Sequence, residues 1–91
     1  MNRNDIIESL REGICEFRFT KLDGQIREMT ATLREDTIPE IRQSQEASRN
    51  APKEITEETA IRVYDLDIQE WRSVRPLSLI SFMNHFGKNM I

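Results

Sequence analysis

ICEFRFTKLDGQIREMTATLR, residues 14–34, decides the architecture. Apolar and polar residues alternate on both sides of Asp23-Gly24. Cys15, Phe17 and Phe19 oppose Glu16, Arg18 and Thr20; Met29, Ala31 and Leu33 then oppose Thr30, Thr32 and Arg34. A period of two belongs to a strand with one buried face. Asp-Gly between two such runs is the strongest short-range hairpin signal. Residues 14–34 therefore read as a hairpin, half of a sheet.

The pattern returns in AIRVYDLDIQEWRSVRPLSLISF, residues 60–82. Ile61 and Val63 share one face, with Arg62 and Tyr64 on the other. LDIQ takes the place that LDGQ holds in the first hairpin, so two turns of similar geometry are expected. Trp71 and Ser73 follow on one side, Arg72 and Val74 on the other. Pro76 ends that strand because it has no amide to give to a ladder. LSLISF alternates Leu77, Leu79 and Ser81 against Ser78, Ile80 and Phe82, a short last strand. The second hairpin and last strand thus cover 60–83, and the tail 84–91 is expected to stay loose unless it docks.

Two further segments complete the chain. Residues 4–12 read as a short helix begun at Asn4 or Asp5, with Ile6, Ile7 and Leu10 on one face and Gly13 as its stop. Residues 35–59 are polar and long for a loop in so small a domain. Their beginning, from Pro39, suits a short helix, but a solvated tether is the favoured reading. Ile38, Ile41 and Ile55 are its few large apolar residues and would be the anchors if the insertion gripped a partner. Helix, hairpin, insertion, hairpin and short strand are what a small five-stranded barrel needs, and closing the sheet would remove its exposed edges. The expected fold is mainly β, a single domain over residues 1–91.

Bulk properties exclude several functions. Ninety-one residues bury only somewhat over ~60% of the surface that the unfolded chain exposes. Charged residues make up 32% of the chain and hydrophobic ones 37%, which suits a compact unit carrying a polar segment. A net charge of -3 runs against a binder that lives on phosphate contacts, although thirteen Lys and Arg leave room for a local basic patch. Cys15, the single cysteine, can form no internal disulfide and is read as a small buried hydrophobe. His85 has no second histidine or cysteine at ligand spacing, so neither a metal site nor a Ser-His-Asp site is expected. No cofactor motif stands out: the three glycines are too far apart for a phosphate loop. No apolar run reaches the length of a signal peptide or a membrane span, and the expected compartment is the cytoplasm.

The two blocks FTKLDGQIREMTATLREDTIPE and IRVYDLDIQEWRSVRPLSLISF resemble a family of small Sm-like barrels related to the WYL domain, found in tailed bacteriophages and some bacteria. The resemblance covers about residues 10–38 and 60–82. It implies an Sm-like barrel, with the setting of a host cytoplasm if the protein is phage-encoded. It also implies two kinds of work: ligand or nucleic-acid sensing, as in WYL-type regulators, and RNA binding or ring assembly, as in Sm-type barrels.

Trp71 carries the sharpest question. Either it fills the barrel or closes its end against Phe17, Phe19 or Leu79, or it sits at the mouth beside Arg72 and Arg75 as a stacking surface. If Arg75 shares an interior face with Trp71, it needs a buried acid such as Asp65 or Asp67. Arg18, Arg27, Arg62, Arg72 and Arg75 all fall on strands, either as an electropositive stripe or in cross-strand pairs with Glu16, Glu28 or Glu70. The reading is a non-enzymatic interaction module, a phage accessory protein that binds a host or phage protein or its own copies. The alternative is a nucleic-acid or nucleotide binder using Trp71, Arg72, Arg75, Tyr64 and Arg62.

Overall fold

The computed structural model describes residues 1–47 and 54–91. Helix α1 (Arg3–Glu12) is followed by β1 (Cys15–Thr20), β2 (Ile26–Thr32), α2 (Glu40–Ala47), β3 (Ile61–Asp65), β4 (Glu70–Val74), a 3-10 turn (Pro76–Ser78) and β5 (Leu79–Met83). The strands form one antiparallel sheet in the order β4-β3-β2-β1-β5. It curls into a small barrel without closing, because β4 and β5 are not hydrogen-bonded neighbours. Pro76 offers no amide, and the 3-10 turn carries the chain away from β4 to the far side of β1. The full closure expected from the element order is therefore corrected, and edges remain.

The first hairpin folds as its alternation predicts. Cys15 pairs with Ala31 and Phe17 with Met29, and all four enter the core. Val63 and Ile61 join them from β3, Val74 from β4 and Phe82 from β5. Phe17 and Phe82 stack at 5.5 Å between ring centroids, a pair that contributes about 1 kcal/mol beyond area burial. Helix α1 lays Ile6 and Leu10 on this core. Its cap is Asn2, not Asn4 or Asp5: the Asn2 side chain accepts from the Asp5 amide at 2.9 Å, and the Asp5 carboxylate accepts from the Asn2 amide at 3.1 Å.

The two turns differ. Gly24, at φ 88, supplies the left-handed residue of the first, whereas in the second that residue is Gln69, at φ 55. The shared Leu-Asp thus sits in two different loop geometries, which corrects the expectation of similar turns. In β5 the register to β1 slips between Arg18 and Phe19, so that Phe17 faces Phe82 while Phe19 faces Leu79. Ile80 is the extra residue and points outward. This bulge brings Leu79 and Phe82 to the core side together, where strict alternation had separated them.

The tail docks. It bridges Asn89 to Met83, and the Met90 amide donates to the Phe82 carbonyl at 2.8 Å, along the outer edge of β5. His85 lies against Gly13 so closely that a β-carbon there would meet the imidazole Cγ at 2.5 Å. Gly13 is the helix stop that was expected, but it is extended, and what demands glycine is this close approach.

The insertion is partly regular. Helix α2 lies against β4 on the outer face of the sheet, and the tether reading is corrected for residues 40–47. Residues 54–59 are irregular and exposed apart from Thr59, and are tied to the start of α1: the Arg3 amide donates to the Glu57 carboxylate and its guanidinium to the Thr59 carbonyl. Residues 48–53, which the expected 35–59 insertion includes, lie outside the described residues.

Candidate functional site

The sheet sends the sequence-predicted residues to two opposite places. Tyr64, Trp71 and Arg62 project from the outer face, where α2 covers them. Tyr64 and Trp71 are cross-strand partners whose rings meet edge to face at 5.6 Å. The indole Nε1–H donates to the Arg42 carbonyl at 2.7 Å, and Arg62 pairs with Glu46 at 3.3 Å. Trp71 therefore neither plugs the barrel against Phe17, Phe19 or Leu79 nor lies at its mouth; it holds the insertion helix. Tyr64 is 1% exposed and has no surface to offer a ligand.

The insertion anchors also divide. Ile38 is buried within the chain's own fold, so it is not available to a partner. Ile41 and Ile55 are 69% and 61% exposed.

Arg72 and Arg75 go to the other side. In register, Phe19 faces Arg27 and Val63 faces Arg72, so both arginines stem from the inner face, at the open end beyond the apolar filling. There a cleft of about 550 Å³ opens between the first hairpin and the end of β4 with its 3-10 turn. Phe19, Met29 and Val74 form an apolar floor, and Lys21, Arg27, Arg72 and Arg75 stand around it. Asp23 is the single acid in the lining, 3.6 Å from Lys21. The Gln25 amide, helped by Lys21, holds the Asp23 carboxyl below its ordinary range, so it is ionised at neutral pH. Four cations against one carboxylate leave an excess of three positive charges in a chain whose net charge is -3.

The pairing of the other arginines sharpens this. Arg18 pairs with Glu28 across strands at 2.6 Å, Arg34 with Asp36 at 2.6 Å, and Arg62 with α2. Among the described residues Arg3, Arg11, Arg27, Arg42, Arg72 and Arg75 have no ion pair, and of these Arg27, Arg72 and Arg75 converge on the cleft. The buried acid offered to Arg75 is elsewhere: Asp65 is at the turn end of β3 and accepts from the Asp67 amide at 2.9 Å, whereas Arg75 follows the far end of β4. Lys21 and the apolar floor were not singled out from the sequence, and Arg27 was placed only in a possible stripe with Arg18, Arg62, Arg72 and Arg75. The signal was present in the shared inner face of Phe19, Arg27 and Arg72, which becomes visible once the hairpin registers are drawn.

Cys15 is buried with its thiol directed at the Ser9 carbonyl, and among the described residues no group of three His, Cys, Asp or Glu side chains could hold a metal. No helix among them is long and apolar enough to cross a membrane.

A five-stranded antiparallel sheet, curled around one core with a 3-10 turn before its last strand, defines a small barrel of the SH3 type. Residues 3–80 match the WYL_2 family, an Sm-like SH3 beta-barrel fold, and the chain belongs to that family. No curated protein and no solved structure matches it.

Proposed function

We propose that the protein is a non-catalytic binding module that takes an acidic segment of another protein into the cleft at its barrel mouth. The observation that carries this reading is the convergence of Arg27, Arg72 and Arg75 over an apolar floor, without an ion pair among the described residues. Ionised groups left without partners at a concave, partly apolar site favour a complementary charged ligand. A protein occupant is preferred to nucleic acid because both aromatic residues that would stack bases, Trp71 and Tyr64, are committed to α2. Self-assembly through strand edges is the weaker variant, since the tail already lies on the edge of β5. The setting we propose is the cytoplasm, as a phage-encoded accessory protein.

Fluorescence anisotropy with two labelled probes tests the reading: a random copolymer of glutamate and tyrosine, and an oligothymidylate. The copolymer should bind and should weaken with added salt. Replacing Arg27, Arg72 and Arg75 by glutamine should cost about tenfold or more in affinity, which is about 1.4 kcal/mol, with little change in thermal midpoint. Equal binding by the variant would overturn the cleft as the site. A clear preference for the oligothymidylate would transfer the function to nucleic-acid binding.

A further inference from the structure

We infer that the occupant enters as an added β-strand on the free edge of β4, and that it is an extended segment alternating acidic with apolar residues. This rests on the cleft reading above and specifies how the cleft is filled.

Among the described residues β4 pairs only with β3, so one row of its amides and carbonyls is unpaired. Such an edge is a template for another chain, and small proteins usually blunt theirs. This protein does so at its other end, where the tail covers the outer edge of β5 at Phe82 and Met83. Among the described residues the edge of β4 has no comparable cover. It borders the cleft instead, since Arg72, Ser73 and Val74 belong both to the strand and to the cleft lining.

Alternation then dictates the occupant. A strand laid beside β4 would turn every second side chain toward the cleft, past Arg72 and over the floor of Phe19, Met29 and Val74. Carboxylates there would meet Arg27, Arg72 and Arg75. The inward positions are thus set by the arginines, and the alternate positions turn to the other side, where β-branched apolar residues favour the extended strand. The same charges reject a second copy pairing β4 to β4, because like charges directly opposite across strands destabilise. The edge is thus closed to itself and open to an acidic strand.

The probe is a short, end-blocked, fluorescein-labelled peptide alternating glutamate and valine, compared with the same peptide carrying N-methyl groups on alternate amides. Methylation removes the donors along one edge while leaving charge and side chains in place. The unmodified peptide should bind saturably and the methylated one about tenfold or more weaker. Equal binding of the two, with both weakened by R72Q/R75Q, overturns strand addition and leaves the cleft reading standing. Equal binding of the unmodified peptide to wild type and R72Q/R75Q overturns both. Absence of binding at about 1 mM peptide, above which any contact is weaker than about 4 kcal/mol, overturns strand addition. So does displacement of the bound peptide by oligothymidylate at equal concentration.

Discussion

The indole nitrogen of Trp71 donates to the carbonyl oxygen of Arg42 at 2.7 Å, and this bond joins the long insertion to the outer face of the barrel. Helix α2 has no buried residue of its own. Eight residues are too few for a helix to persist alone in water, so its order depends on what it leans on. Trp71, Tyr64 and the Arg62–Glu46 pair provide that support.

Trp71→Phe keeps the ring against Tyr64 but removes the donor, leaving the Arg42 carbonyl to solvent. The expected loss is about 1 kcal/mol. Amide exchange over residues 40–47 should accelerate more than exchange in β1 and β2. Uniform acceleration across the sheet would mean that Trp71 supports the whole barrel instead.

Thr32 ties α1 to the sheet. Its buried hydroxyl lies 3.2 Å from the Leu10 carbonyl and 3.1 Å from that of Gly13, and it also accepts from the Arg34 amide. Thr32→Val keeps the shape and strands the Gly13 carbonyl and the Arg34 amide, while the Leu10 carbonyl keeps the Leu33 amide at 3.0 Å. A loss of about 1–3 kcal/mol in urea denaturation is expected, because buried partners are left unpaired. An unchanged urea midpoint would show that water replaces the hydroxyl.

Gly13→Ala should displace the tail, since the new methyl would overlap the His85 ring. Overpacking of this kind costs about 1–3 kcal/mol. His85→Ala in the same chain should restore most of the loss, and a double-mutant cycle measures the coupling. Additive effects would place the cost of Gly13→Ala elsewhere.

Burial pushes the Cys15 thiol up to about 11 from 9.0, against a smaller opposing pull from the His85 backbone. The unfolded chain therefore gives up this proton at lower pH than the native one. The contribution to stability is fully present below pH 9 and is lost as pH rises through about 11. Urea midpoints from pH 8 to 11 should fall more steeply for wild type than for Cys15→Ala, although the cavity makes that variant weaker throughout. Parallel slopes would remove Cys15 as a cause.

Much of the barrel was legible along the chain. Alternation through Cys15, Phe17 and Phe19, and again through Met29, Ala31 and Leu33, fixes which side of the first hairpin is buried, because period two is a local property of extended backbone. Asp23-Gly24 marks the first turn for an equally local reason: a residue near φ 88 favours glycine. Local rules could not say what lies over the outer face. Tyr64 is outward by alternation and buried in fact, since a helix from some twenty residues earlier covers it. The bulge at Ile80 puts Leu79 and Phe82 on one side, where alternation separates them, and the space at Gly13 belongs to a histidine from the far end of the chain. The candidate site lies at the same boundary. Each arginine could be placed on its strand from sequence, but Arg27 of β2 and Arg72 and Arg75 at the end of β4 converge only because the sheet curls. Side-chain direction is set by the nearest neighbours in the chain, whereas burial and convergence are set by elements that meet only after folding.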